Sequence, residues 1–284
     1  MARVAFLGLG VMGYPMAGHL LAAGHDTCVW NRTISKAKSW ADTYQGRMAE
    51  TIGEAVREAD FVMMCVGNDS DVLDVAGQAL EAMSPGSVLI DHTTASAKCA
   101  REVGNQAKQR GIGFVDAPIS GGEAGAVSGQ LAIMCGGTEE DFNRAAPVMQ
   151  AYGKAIKRMG PVGAGQLTKM VNQICIAGTL QGLAEAVNFA MKAGLDVDEV
   201  VEAIGQGAAG SWQLLNRAST MARDEYEFGF AVDWMRKDLN IALETGREIG
   251  ADLTMTEIVD GYYAEVQEMG GNRWDTSSLM KRLK

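Results

Sequence analysis

Two hydrophobic periods alternate along the first 160 residues. Short apolar and β-branched runs stand at Arg3–Leu9, Asp26–Trp30, Phe61–Val66, Ser87–Asp91, Gly113–Asp116, Gln130–Cys135 and Ala155–Arg158. Between them lie amphipathic stretches at Met12–Ala23, Ile34–Thr43, Ile52–Glu58, Asp71–Met83, Ser96–Arg110 and Glu139–Tyr152. Strands alternating with helices of this length predict βαβ units on a mostly parallel sheet. Right-handed crossovers then cover both faces of that sheet with helices.

After Pro161 the strand signal stops. Gln166–Ala193 is one long apolar-periodic segment with Gly194 placed as its C-cap. Helical patterns follow at Asp198–Gly205, Ser211–Arg223, Val232–Ile249, Met255–Met269 and Ser277–Leu283. The predicted architecture is therefore α/β: a doubly wound sheet over residues 1–161, then an all-helical C-terminal domain over 162–284 that starts with a long interdomain helix. A chain of 284 residues is comfortable for two such cores. Charge shifts at the same place, from net −3 before residue 161 to net −7 after it.

Composition narrows the function. Net charge is −10, and the densest basic stretches are Lys154–Arg158 and Lys281–Lys284. Neither is the clustered Lys/Arg surface that nucleic acid or an anionic membrane requires. The five cysteines lie far apart with no CxxC pair, so neither a disulfide framework nor a zinc site is expected, and a reducing cytosol fits. No stretch is expected to reach the ~18 apolar residues of a membrane span, and no signal peptide is visible. Glycine is the outlier. The 35 glycines are about 12% of the chain against a usual ~7%, which points to backbone that bends tightly or approaches something closely.

One glycine group has chemical meaning. Gly8-Leu9-Gly10-Val11-Met12-Gly13 is a G-x-G-x-x-G between a predicted strand and a predicted helix, the context that makes it a dinucleotide-binding turn of the Rossmann type. Gly8 is expected to make the turn, Gly10 to let backbone N–H groups reach a pyrophosphate, and Gly13 to pack helix on strand. The second strand then ends in Asn31-Arg32-Thr33, with no acid in the slot that binds a ribose 2′-hydroxyl. Arg pairs with a 2′-phosphate, and Asn and Thr hydrogen-bond it, so NADP(H) is expected over NAD(H).

A nicotinamide enzyme also needs a proton-transfer group. No Tyr has a Lys four residues later. His19 and His25 belong to the first helix and its exit, and His92, after a strand end, reads as a polar loop residue. No metal-ligand cluster or P-loop is present. Two segments remain. Asp116-Ala117-Pro118-Ile119-Ser120-Gly121-Gly122 follows a strand, and its Ser120 hydroxyl with the N–H groups of Gly121 and Gly122 suits a substrate carboxylate. Gly163-Ala164-Gly165-Gln166-Leu167-Thr168-Lys169 opens the long helix, and Lys169 is the only Lys or Arg between Arg158 and Lys192. Desolvation and a helix N-terminus both favour the neutral amine of a general acid/base. Asn172 lies one turn on, on the same face.

Together these segments resemble the β-hydroxyacid dehydrogenase family, which includes 3-hydroxyisobutyrate dehydrogenase and the tartronate, glyoxylate and succinic semialdehyde reductases. The resemblance covers essentially the whole chain. It rests on FLGLGVMGYPMA at Phe6–Ala17, DAPISGG at Asp116–Gly122, GAGQLTK at Gly163–Lys169, and Lys237-Asp238. It implies a catalytic Lys169 assisted by Asn172, and a substrate site at Ser120, Gly121 and Gly122. It implies cofactor contacts at Gly8, Leu9, Gly10, Val11, Met12, Gly13, Asn31, Arg32, Thr33, Cys65, Val66, Thr94 and Lys237. On the residues alone, Lys237 reads as a surface lysine. The chain departs from the family at Gln173, where many members carry Asn, which leaves open whether Asn172 or Gln173 meets substrate. It departs again at Cys65-Val66, where Leu-Pro is usual, and at Thr93-Thr94, where Ser-Thr is usual.

The resemblance implies a cytoplasmic, NADP(H)-dependent oxidoreductase that interconverts a small β-hydroxyacid and its semialdehyde or keto acid, as a homodimer or homotetramer. Glyoxylate or succinic semialdehyde reduction, serine or imine oxidoreduction, and non-catalytic nucleotide sensing are the alternatives. Specificity is expected around Ser211-Trp212-Gln213, Phe230 and Asp233.

Overall fold

The computed structural model describes residues 1–283. It divides into two compact units, Met1–Lys169 and Met170–Lys284, with the division inside a helix.

The first unit runs β1 (Arg3–Leu7), α1 (Gly13–Ala22), β2 (Asp26–Trp30), α2 (Ile34–Tyr44), β3 (Arg47–Met48), α3 (Ile52–Val56), β4 (Phe61–Met64), α4 (Asp69–Ala82), β5 (Val88–Asp91), α5 (Ala97–Gln109), β6 (Gly113–Asp116), β7 (Ile119–Ser120), α6 (Gly122–Val127), β8 (Leu131–Gly137), α7 (Glu139–Met149) and β9 (Gly153–Gly160). It closes on the first residues of α8 (Ala164–Lys192). Strand order is β3-β2-β1-β4-β5-β6-β8-β7, with β9 on β8. Strands β1 to β6 are parallel, whereas β8 runs antiparallel to β6 and β7. Successive residues of each strand point to opposite faces. Ala5, Leu7, Val62, Met64 and Leu89 therefore enter one buried layer, and Val4, Phe6, Met63, Val88 and Ile90 enter the other.

Two features of this sheet position a site. The chain leaves β1 for β2 and β3 on one side, then returns to β4, β5 and β6 on the other. Open α/β sheets bind ligands at such a reversal, beyond the carboxyl ends of the strands. The register then aligns those ends, pairing Leu7 with Trp30 and Met64, Met64 with Asp91, and Asp91 with Asp116. The next residues, Gly8, Asn31, Cys65, His92 and Ala117, consequently form one row across the edge.

Short elements escape the hydrophobic pattern. The two-residue strands β3 and β7 and the six-residue α6 are too brief to show a period.

The second unit contains most of α8, then α9 (Val197–Ile204), α10 (Trp212–Ala222), α11 (Val232–Ile249), α12 (Thr254–Glu268) and a terminal 3₁₀ segment, Thr276–Leu283. Leu180, Leu183, Val187, Met221, Leu239, Tyr263 and Leu279 share its core. The end of the chain is not the α-helix its pattern predicts. Asp275 Oδ1 accepts from both the N–H and hydroxyl of Ser277, and Ser278 N–H bonds back to the Asp275 carbonyl. That turn tightens the segment to i→i+3 bonding. One strand-like contact also survives here, an antiparallel bridge between Ala231 and Asp275.

The expectation that nothing approaches membrane-span length is corrected by α8, which by length and composition alone is long and apolar enough to cross a membrane. Its Ala177, Leu180, Leu183, Ala184 and Val187 are spent on the core of the second unit.

Candidate active site

The turn after β1 is built by what its glycines lack. Gly8 has φ 99°, and a Cβ there would collide with the Cys65 carbonyl. A Cβ on Gly13 would strike the carbonyl of Gly8 and the ring of Phe6. Gly10 differs, since nothing lies within 4 Å of where its Cβ would stand. The protein's own packing explains Gly8 and Gly13, while Gly10 keeps clear the space in front of α1. Helices α3, α4, α5, α7, α9 and α10 are capped by the side chains of Thr51, Asn68, Ser96, Thr138, Asp196 and Ser211. Helix α1, like α2, has no side-chain cap and no acid in its first turn. An uncapped N-terminus behind an open glycine is fitted to an anionic group such as a pyrophosphate.

Neighbouring strand ends brace this turn. Asn31 Oδ1 accepts from Leu9 N–H at 2.8 Å, and Asn31 Nδ2 donates to the Thr33 carbonyl at 3.0 Å. Its side chain thus shapes the Gly-rich turn. Arg32 is 83% exposed and meets Asp71 through Nη1 at 3.2 Å. After β4, Cys65 N–H bonds the Leu7 carbonyl, and Val66 N–H donates to the Thr93 hydroxyl at 2.9 Å. Thr93, rather than its neighbour Thr94, is the buried member of that pair.

The Thr94 loop is clamped by a residue that sequence reasoning passed over. Gln166, fully buried, donates from Nε2 to the Thr93 carbonyl at 2.7 Å and accepts at Oε1 from Ala95 N–H at 3.0 Å. One amide side chain so holds both flanks of Thr94. A second anchor is Asp116, at the end of β6. Its carboxylate accepts from Gly163 N–H at 2.7 Å and Gln166 N–H at 3.0 Å. Burial pushes the Asp116 carboxyl up to about 7, against the pull of the backbone amides of Gly163, Gln166 and Gly165. Gly165 is required here, because a Cβ would enter the Met134 and Asp116 carbonyls. The signal available in the sequence was a Gln inside a Gly-rich helix entry, following an Asp at a strand end.

These anchors seat the start of α8. Lys169, at 7% exposure, lies in its second turn. Asn172 and Gln173 follow at the i+3 and i+4 positions that share a helix face. Gln173 is buried, and its amide bonds Asn172 and Asp238. Ser120 ends β7, and Gly121 and Gly122, at φ 131° and 62°, turn the chain into α6. His19 Nε2 lies 3.0 Å from the carbonyls of Ala126 and Val127 at the far end of α6. In the second unit Lys237 Nζ pairs with Asp238 at 3.1 Å, and its side chain is largely covered rather than at the surface.

His92 is not a polar loop residue. It is buried, with Nδ1 2.7 Å from the Ala117 carbonyl and Nε2 2.8 Å from the Tyr152 hydroxyl. A carbonyl only accepts, so Nδ1 carries the proton and Nε2 receives the Tyr152 hydroxyl. Burial lowers the His92 pKa to about 4, keeping it neutral. Of the expected specificity residues, Trp212 lies under the Arg217 guanidinium, Phe230 N–H bonds Asp275, and Asp233 accepts from Gln267 and Asn272.

A groove of about 630 Å³ in the first unit runs along the outer face of α1 beside α2 and α6. It shares only Leu9, Gly10 and Val11 with the Gly-rich turn and none of the β4, β5 or β6 strand ends. Chemistry and volume therefore separate in this unit, and the strand-end row is the better candidate.

Comparison with known proteins supports the same division of labour. Residues 3–160 match the NAD-binding domain of 6-phosphogluconate dehydrogenase, and residues 163–283 match the NAD-binding model of NADP-dependent 3-hydroxyisobutyrate dehydrogenase. An uncharacterized oxidoreductase of Shewanella frigidimarina is 54% identical, covering 100% of this chain and 98% of its own. The 2-hydroxy-3-oxopropionate reductase of Escherichia coli is 32% identical over 99% of this chain and 97% of its own. Among solved structures, the 3-hydroxyisobutyrate dehydrogenase of Mycobacterium tuberculosis with L-serine superimposes with a TM-score of 0.90 at 31% identity, covering 100% of this chain and 99% of that one. With a Rossmann-type sheet, a helical second unit and relatives along its full length, the chain belongs to the β-hydroxyacid dehydrogenase family of NAD(P)-dependent oxidoreductases.

Proposed function

We propose that this chain is an NADP(H)-dependent oxidoreductase that interconverts a small β-hydroxyacid and its semialdehyde or keto acid, with Lys169 as general acid/base. The observation that carries the reading is a buried lysine in the second turn of α8, a helix tied by Asp116 and Gln166 to the strand ends beside the Gly-rich turn. A nicotinamide dinucleotide, when bound, would supply or take the hydride. In the reducing direction the carbonyl oxygen gains the electron pair of its π bond, and the Lys169 ammonium gives that oxygen a proton. In oxidation the neutral amine takes the proton back. Ser120 with the N–H groups of Gly121 and Gly122 holds the substrate carboxylate, and Asn172 orients the reacting end.

Gly8 to Gly13, Cys65, Val66, Thr94 and Lys237 meet the dinucleotide in this reading. Arg32 and Thr33 take the 2′-phosphate, and Asn31 holds the turn that receives the pyrophosphate. The exposed Arg32 guanidinium is what favours NADP(H). The protein is proposed to be cytoplasmic and to work as a homodimer or homotetramer. Val171 and Phe189 of α8 are exposed to solvent, and a sedimentation profile showing only monomer would remove the oligomer.

The decisive assay is NADPH oxidation over glyoxylate and the succinic, methylmalonic and tartronic semialdehydes, with NADP+ reduction on 3-hydroxyisobutyrate and serine beside it. Serine is included because the M. tuberculosis structure holds L-serine. Lys169→Ala is expected to lose orders of magnitude in kcat while binding NADPH normally. A loss below about tenfold, ~1.4 kcal/mol, refutes the role. Equal or better KM for NADH than for NADPH refutes the cofactor preference, and NADPH binding without turnover on the whole panel favours a nucleotide sensor.

A further inference from the structure

Gln173 stands where many family members have a shorter amide, and the second unit shows what the extra methylene reaches. Its Oε1 accepts from Asn172 Nδ2 at 2.8 Å, and its Nε2 donates to Asp238 Oδ2 at 2.6 Å. Asp238 is buried on α11, and its other oxygen lies 3.1 Å from Lys237 Nζ. The Lys237 ammonium stands 5.8 Å from the centroid of the Trp234 ring, about one turn back on the same helix. A carboxylate paired with lysine is ionised and can only accept. Gln173 must therefore turn its NH₂ to Asp238 and its oxygen to Asn172. The whole chain of contacts has one direction, set by the buried carboxylate.

Such a carboxylate needs more than one partner. A single ion pair at a buried site does not offset the desolvation of both charges, and further hydrogen bonds on the remaining lone pairs are what make it tolerable. Gln173 supplies one. An asparagine at 173 is shorter by one C–C bond of ~1.5 Å. Its amide would stop about 4 Å from Asp238, outside hydrogen-bond range.

We propose that Gln173 is a positioning residue: it holds the Asp238 carboxylate in the rotamer that anchors Lys237, and so fixes the ammonium that meets the dinucleotide. This role rests on the assignment of Lys237 to the cofactor made above. It gives the departure from the family pattern a cause, since the glutamine does structural work on α11 and leaves Asn172 as the amide beside Lys169.

The test is NADPH binding to the full-length protein without substrate, followed by nucleotide fluorescence, alongside steady-state kinetics. Q173N and D238N should each weaken NADPH binding five- to twentyfold, raising KM for NADPH more than they lower kcat. The double variant should be no weaker than D238N alone, because both changes remove one linkage. Q173E adds a readout that a merely structural role would not move. The Gln173 amide meets the Asp238 carboxylate of α11, Lys237 pairs with that carboxylate, and Lys169 precedes position 173 by one turn on α8. In Q173E the introduced carboxyl, when protonated, can donate to Asp238 as the amide does, whereas the ionised form repels it. Relative to wild type at each pH, Q173E should bind NADPH nearly normally at pH 5.5 and at least tenfold more weakly at pH 8.5. Binding by Q173N and Q173E within twofold of wild type at both pH values overturns the positioning role. Failure of the wild type itself to bind NADPH overturns the cofactor assignment of Lys237 and this role with it.

Discussion

Replacing Gln166 with Leu tests whether the clamp on the Thr94 loop is an energetic feature of the first unit. The substitution nearly conserves volume and deletes two hydrogen bonds, one to the Thr93 carbonyl and one from Ala95 N–H. Gln166, Thr93 and Ala95 are all buried, so water cannot replace the lost partners. A buried backbone donor or acceptor left without a partner costs ~1–3 kcal/mol, so the pair costs roughly 2–6 kcal/mol. Burying leucine in place of an amide returns about 1 kcal/mol. The net expectation is a loss of about 1–5 kcal/mol. For a unit of this size, each kcal/mol moves the melting temperature by ~2–4 °C, so Gln166→Leu should melt roughly 2–20 °C below wild type. Circular dichroism melts and urea midpoints measure this directly. Gln166→Glu keeps the acceptor for Ala95 and, protonated at acid pH, a donor for the Thr93 carbonyl, so it should melt near wild type there and fall toward Leu as the carboxyl ionises. If Gln166→Leu melts within about 2 °C of wild type, the clamp is not what holds the loop, and Gln166 is no support of the site.

Asp116→Asn should remove a contribution that makes stability fall as pH rises between about 4 and 7. Its carboxyl is pushed up from 3.8 to about 7, so this group's contribution is full below pH 3.8 and is lost as pH rises through 7; an unchanged slope of urea midpoint against pH refutes it. His92→Asn retains a donor for the Ala117 carbonyl and removes a group whose pKa falls from 6.5 to about 4. Its contribution is present above pH 6.5 and lost as pH falls toward 4, a change of about 3 kcal/mol that the variant should not show. Arg32→Ala should raise KM for NADPH about tenfold and leave KM for NADH within twofold, and an equal rise in both would deny Arg32 any contact with a 2′-phosphate.

Hydrophobic period alone revealed most of the frame because the long elements have faces to bury. Strands β2 and β6 and helix α11 begin and end where the pattern places them. What escaped was decided by a few backbone bonds. Strand β7 consists of Ile119 and Ser120 paired with β8, and no period can be read from two residues. The antiparallel insertion of β8 beside β6 depends on Gly136 and Gly137 opposite Asp116 and Val115, and the sequence does not say which way a strand runs. The 3₁₀ end was hidden because its apolar spacing resembles a helix, whereas the Asp275 side chain sets the actual turn.

The candidate site was legible where an unusual residue stands in an apolar setting, as at Lys169, which is buried, and where glycine is demanded by backbone, as at Gly8 and Gly13. Its supports were not. Gln166, Asp116, Gln173 and Asp238 act through partners that lie 71, 47, 65 and 65 residues away in the chain, and no local pattern announces a hydrogen bond of that span. Lys237 was misjudged for the same reason, since its cover and its Asp238 pairing belong to the packed α11 and not to its neighbours in sequence.

The two perturbed groups of the strand-end row bear on one another. His92 donates to the carbonyl of Ala117, the residue that follows Asp116, so both titrate at adjoining strand ends of one sheet edge. Between about pH 4 and 6.5 the folded state holds a proton on Asp116 that the unfolded chain has released. Over the same range it lacks the His92 proton that the unfolded chain has taken up. The first makes stability fall with rising pH and the second makes it rise, each by at most ~1.4 kcal/mol per unit. For these two groups the opposing slopes offset one another across this window. Neither group needs to touch a substrate for this to hold. Removing either one should uncover the slope of the other, with opposite signs in Asp116→Asn and His92→Asn, which uniform loosening of the sheet cannot produce.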